Sequence, residues 1–283
     1  MLILNKKRII AMFCMIFISL FAFSFKIANN NPLMQEETIQ TVALPVTNKV
    51  IVVDAGHGTP DEGAESNNGT TEAQINLKIA LKLQTLLEQS GATVILTRSD
   101  DNAIYDLDSK TLRQKKNSDI HNRVKIGNGS SADIFVSIHL NKIPQNQYWG
   151  WQCFYNQNEK SKVLAESIQE NLNDAIQKEN KRVAMKLDNV YIMQHVEIPI
   201  SIVECGFLSN ETEEKELQSD DYQNKLAWGI YNGIMDYFCQ KGRYWMRGCW
   251  MTARFDIFIF KISKRLIKNY RKYQIIWCKL LKK

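Results

Sequence analysis

Apolar residues recur along this chain in two periods, and the switches between them mark its elements. An unbroken run from Val50 to Val53 leads into Asp54, Ala55, Gly56, His57 and Gly58. That pattern predicts a buried strand over 49–54 ending in a tight turn. From Glu72 to Gln89 the spacing changes. Ile75, Ile79, Leu83 and Leu86 form one stripe, with Leu77, Ala80 and Leu87 beside it, which predicts an amphipathic helix. Thr70 and Thr71 are placed to cap its start, and Gly91 to stop it.

Further strands are predicted at 92–96, 132–138, 148–155, 190–193 and 198–203. Helices are predicted at 118–128, 160–177, 211–217 and 221–238, and residues 99–118 read as a polar surface excursion. Strands alternating with helices predict an α/β fold. The expected form is a single layered domain, with a mostly parallel or mixed central sheet of about six strands and helices on both faces.

The ends follow other patterns. Lys6, Lys7 and Arg8 precede an apolar run from Ile9 to Phe25. Residues 1–26 therefore read as a secretory signal or a signal-anchor. Basic residues on the amino side hold that end in the cytoplasm and send the rest across the membrane. Residues 27–48, polar with Pro32 and Pro45, read as a linker to a domain at 49–239. Residues 240–283 form a basic, aromatic tail with no clean periodic face. The tail reads as a membrane- or wall-associated segment or, preferred here, as a reading frame that runs past its usual end.

Charge changes the picture once it is mapped. The net +6 conceals a tail of +12, with 13 Lys and Arg against Asp256 alone, so the rest of the chain stands at −6. A mildly acidic body argues against a nucleic-acid partner. The six cysteines, Cys14, Cys153, Cys205, Cys239, Cys249 and Cys278, form no C-x-x-C pair and no disulfide framework.

Three predicted strands end in a side chain that can bind a metal or take a proton: His57, His139 and Glu204. Carboxyl ends of parallel strands share one edge of a sheet, where ligands bind in open α/β folds. Glu72 opens the helix after the first strand and belongs above the same edge. Two histidines and a carboxylate form a common catalytic zinc set, with an open position for water and a second carboxylate as general base. Each residue also has a structural reading. His57 can close a turn, Glu72 can complement a helix dipole, and His139 can sit satisfied in a core. Glu204 is the hardest to explain that way, because a carboxylate after I-P-I-S-I-V is costly to bury unpaired. Asp54 either orients the His57 ring or serves the turn. His195, in Q-H-V-E, could line a site, and His121 fits a polar helix face.

These blocks resemble a known family. In order they are V-D-A-G-H-G, Glu72 before I-N-L-x-I-A-x-x-L, T-R, R-V-x-I-x-N, A-D-I-F-V-S-I-H-L-N and V-E-C-G-F-L-S-N. Together they resemble the zinc-dependent N-acetylmuramoyl-L-alanine amidases of bacterial cell walls, over about residues 49–238. W-G-W-Q-C-F-Y and Y-Q-N-K-L-A-x-G-I-Y-x-G-I resemble the germination-specific, spore-cortex members. The resemblance implies zinc on His57, Glu72 and His139, and Glu204 as catalytic glutamate. It implies hydrolysis of the amide between N-acetylmuramic acid and L-alanine in peptidoglycan. In spore cortex this would strip stem peptides ahead of a muramic acid deacetylase that forms muramic-δ-lactam, with an activating lipoprotein as a further partner. A vegetative autolysin of the same chemistry is the alternative, and a wall-binding protein with a silent site is another. Arg123 and Asn128 match family positions and read as residues that hold a helix to the site edge. The chain departs from the family pattern at Thr59-Pro60, at T-T-E-A-Q and at Cys205.

Overall fold

The computed structural model describes residues 15–21 and 43–241. The chain divides into two compact units, Met1–Ala43 and Leu44–Lys283. In the first, residues 15–21 are helical and exposed. Among the described residues no helix is long and apolar enough to cross a membrane. Most of the predicted signal and linker segments, and the tail from 242 onward, lie outside the described residues.

The second unit is built on one mixed sheet. Its strands are β1 (Val50–Ala55), β2 (Thr93–Leu96), β3 (Ile134–Asn141), β4 (Gln152–Tyr155), β5 (Met185–Lys186) and β6 (Ile200–Phe207), in spatial order β2-β1-β3-β6-β4-β5. The pairs β1–β2, β1–β3 and β3–β6 are parallel, while β4 runs antiparallel to β6. The strand period of two sorts side chains onto two faces. Ile51, Val53, Ala55, Ile134, Val136, Ile138, Val203 and Cys205 join one core, with α1 (Glu72–Gln89), α3 (Glu159–Ile176), α5 (Glu211–Gln218) and α6 (Asp220–Lys241). Val52, Phe135, Ile200 and Ile202 join the other, against α2 (Leu112–Gly129) and α4 (Tyr191–His195). Each fully buried aliphatic side chain contributes roughly 1.5–3 kcal/mol, so the alternation fixes which way each strand faces.

Most predicted elements are present, with instructive differences. Helix α2 begins at Leu112, not at 118, behind a capping box between Thr111 and Gln114. Apart from exposed Leu112, its first turn is polar and leaves no apolar stripe to read. The predicted strand at 190–193 is the short helix α4. A four-residue apolar run does not distinguish strand from helix. At α1, Thr71 makes no side-chain cap. Its hydroxyl binds Glu62 and that of Thr70 binds Glu214. Strands β3 and β6 run past the predicted ends, so His139 and Glu204 lie inside them, in direct register with each other. Strand β4 starts at Gln152, later than the predicted 148, and the two-residue β5 carries no pattern.

Candidate active site

The site starts from the turn after β1. Gly56 N–H donates to the Ile138 carbonyl at 3.0 Å, which lays the turn against β3. A Cβ on Gly56 would come within 2.3 Å of the His139 ring, so only glycine lets that imidazole in. The next residue, His57, has φ +63°, a conformation that costs a non-glycine residue about 1–2 kcal/mol. Two buried arginines hold this backbone in place. Arg98 donates to the carbonyls of Ala55 and Gly56 at 2.8 and 3.0 Å. Arg123 donates to those of Ala55 and His57 at 2.8 and 2.6 Å. Three successive carbonyls of the turn are therefore clamped, which gives the T-R and R-V blocks a structural purpose.

Asp54 does not orient the His57 ring. Fully buried, it pairs with Arg123 at 2.5 Å and accepts from the hydroxyls of Thr97 and Ser137. Burial raises its pKa, but Arg123, His139 and the two hydroxyls outweigh that and hold it below the usual carboxylate value. The carboxylate that meets the ring is Asp61, with Oδ2 3.3 Å from His57 Nδ1. Lys116 Nζ holds the other Asp61 oxygen at 2.8 Å. Sequence reasoning missed Asp61, whose only signal was its place four residues after His57 in T-P-D-E-G.

Three ligand atoms, from His57, Glu72 and His139, lie within 4.8 Å of one another. His57 Nε2 is 3.3 Å and His139 Nδ1 3.0 Å from the same oxygen, Glu72 Oε1. Glu72 is fixed by the N–H groups of Ala64 and Leu140, at 2.9 and 3.0 Å, and by Asn76. Gly63, at φ +70°, leaves room for it, since a Cβ there would lie 2.6 Å from Glu72 Oε2. Burial pushes Glu72 up, but both imidazoles pull it far below the usual range. Burial pushes His57 down, and its hydrogen bonds to Asp61 and Glu72 overcome this and raise it to about 9.

Glu204 behaves differently. It sits in register with His139, yet its Oε2 is buried with no hydrogen-bond partner. Burial raises its pKa to about 7, the nearby histidines pulling down and Glu72 pushing up. A buried orphan oxygen beside two imidazoles and a second carboxylate is costly unless water or a cation completes the set. The donor chemistry, two nitrogens and one carboxylate, fits a zinc-class divalent ion.

The other two histidines stay outside this cluster. His121 Nδ1 contacts the Asn117 carbonyl, and His195 Nδ1 the Tyr191 carbonyl, each four residues back along its own chain. Asn128 brackets the 195–197 turn, donating to the His195 carbonyl and accepting from Glu197 N–H.

A family model described as N-acetylmuramoyl-L-alanine amidase matches residues 51–236. The chain belongs to that family. It is an N-acetylmuramoyl-L-alanine amidase that acts on peptidoglycan. It is 36% identical to the germination-specific N-acetylmuramoyl-L-alanine amidase of Bacillus subtilis, over 80% of this chain and 92% of that one. It is 31% identical to the amidase LytC of the same organism, over 76% of this chain but only 40% of LytC. Among solved structures, the CwlD amidase of Clostridioides difficile, in complex with the GerS lipoprotein, matches with 47% identity and a TM-score of 0.66. That match covers 68% of this amidase and 99% of CwlD.

Proposed function

We propose that this amidase uses one zinc ion held by His57, Glu72 and His139, with Glu204 as general base, to strip stem peptides from spore cortex. The observation that carries the reading is the pairing of a converged three-ligand cluster with an unpartnered carboxylate in register with one of its ligands. Zinc, when bound, would supply Lewis acidity towards the amide carbonyl and a water.

The chain's own residues do the rest. Glu204 Oε2 takes a proton from the attacking water as oxygen adds to the lactyl carbonyl carbon. It returns that proton to the L-alanine nitrogen as the C–N bond breaks, leaving a free muramic carboxyl and a free peptide amine. Burial raises the pKa of the Glu204 carboxyl, which favours its holding a proton between the two transfers. Asp61 leaves His57 Nε2 free for the metal by occupying Nδ1.

The cortex assignment rests on likeness to the germination-specific amidase and to CwlD. The CwlD–GerS complex supports an activating lipoprotein partner here as well. The product would pass to a muramic acid deacetylase for muramic-δ-lactam formation. The basic, apolar N-terminal segment would export the domain across the cytoplasmic membrane, anchored or released. Muropeptide analysis of spores with and without this gene tests the reading. Loss of muramic-δ-lactam in its absence is expected, and unchanged muramic-δ-lactam would remove the cortex role.

A further inference from the structure

We propose that Arg182 receives a carboxylate of the stem peptide on the leaving side of the scissile bond and makes the enzyme select acidic peptides. The proposal rests on the amidase reading and names a substrate feature of the same site. Arg98 and Arg123 are buried, and their guanidinium groups are taken up by carbonyls and carboxylates of the chain. Nearby lysines are also engaged, Lys116 with Asp61 and Lys142 with the Glu65 carbonyl.

Arg182 is held less fully than the two buried arginines. It is half-buried, its Nη1 donates to Gln152 Oε1 at 3.2 Å, and its guanidinium lies 4.8 Å from the Phe207 ring centre. Among the described residues no carboxylate pairs with it. Its loop does not need the guanidinium as an anchor. Asn180 already donates to the Trp151 carbonyl at 2.8 Å, and Gln152 Nε2 to the Val183 carbonyl at 3.0 Å. The second of these bonds also turns Gln152 Oε1 towards Arg182, so the cation is held ready.

Its position fits the substrate. Gln152 is the antiparallel register partner of Glu204, so the two side chains leave the sheet on the same face. Directly opposed residues lie about 4.5–5.5 Å apart at Cα. Arg182 is thus one side chain removed from the proposed base. An extended peptide advances about 3.3–3.6 Å per residue, so a carboxylate on the residue after L-alanine lies about 7 Å from the cut. Arginine matches a carboxylate with two parallel N–H donors, and the apolar Phe207 face behind it lowers the competition from water.

The test uses two muramyl peptides, identical except that the residue after L-alanine carries a free carboxylate or its amide. Binding is measured by calorimetry to the zinc-loaded Glu204→Gln protein, in which turnover should be slowed about 10²–10⁴-fold. With Arg182 present, the acid should bind at least about 10-fold more tightly than the amide. Adding Arg182→Gln should weaken the acid to the level of the amide and leave the amide unchanged. Arg182→Lys should fall between, and decides the matter if the Gln variant does not fold. Equal binding of acid and amide with Arg182 present would overturn the proposal, as would equal weakening of both by Arg182→Gln. Peptide release is read separately with Glu204 intact. No release from either compound would count against the proposed zinc–Glu204 mechanism, while the binding preference still decides the role of Arg182.

Discussion

The four histidines of this chain divide between two regions that solve the same problem in opposite ways. At the carboxyl edge of the sheet, His57 and His139 turn ring nitrogens towards one Glu72 oxygen, 3.3 and 3.0 Å away. On the α2–α4 surface, His121 and His195 each turn Nδ1 to a carbonyl four residues back, and they flank the Tyr191 ring at 4.6 and 3.8 Å. Those carbonyl contacts engage only Nδ1 of each helical ring. Histidines on a glycine-flanked turn and a strand bring their ring nitrogens onto one carboxylate, a convergence a cation would complete. The difference lies in convergence: at the sheet edge two ring nitrogens meet one carboxylate, and among the described residues neither His121 nor His195 joins such a group.

The largest expected effect tests that contrast directly. His57→Ala or His139→Ala should abolish zinc retention and lower peptide release by about 10³-fold or more. His121→Ala and His195→Ala should leave both within about twofold. Zinc per chain by atomic emission, with peptide release from sacculi, checks this. A His195→Ala variant as damaged as His139→Ala would break the comparison.

The next prediction separates the two aspartates near His57. Asp54→Asn takes one of its two carboxylates from buried Arg123, leaving Asp119, and should cost about 1.5–3 kcal/mol of stability in denaturant unfolding. Asp61→Asn should leave stability nearly unchanged and weaken zinc binding about 10- to 100-fold in competition with a chelator. The reverse pattern would return ring orientation to Asp54.

A smaller effect concerns Glu213, which belongs to neither histidine pair. Burial raises its pKa from 4.5 to about 7, although the N–H groups of Phe207 and Gly150 pull it down. A carboxyl raised on folding binds more protons in the native state. Its contribution is therefore full below pH 4.5 and is lost as pH rises through 7. Glu213→Gln should flatten the fall in stability across that window by on the order of 2 kcal/mol. Identical slopes for the two proteins would show that Glu213 stays ionised in the fold.

Much of this was legible in the sequence because apolar periodicity and strand-end chemistry are local signals. Val50–Val53, the Ile75–Leu87 stripe and the strands ending near His139 and Glu204 each carried their own pattern. Parallel topology then brought the four site residues to one edge. What stayed hidden depends on contacts across long separations. Asp54 pairs with Arg123, 69 residues away, instead of its near neighbour His57. The threonines before α1 give their hydroxyls to Glu62 and Glu214 instead of the helix end. The first turn of α2 is held by a capping box on a polar surface, where no apolar stripe exists to find.

The central claim is that Glu204 moves the proton while His57, Glu72 and His139 hold the metal. Mass spectrometry of purified peptidoglycan digested by the zinc-loaded wild type and Glu204→Gln, with zinc content measured on the same samples, tests it most directly. The wild type should release peptides beginning with L-alanine and leave free muramic carboxyls. Glu204→Gln should keep one zinc per chain and lose release by about 10²–10⁴-fold. Release at the wild-type rate by Glu204→Gln, or its loss together with the zinc, would contradict the account.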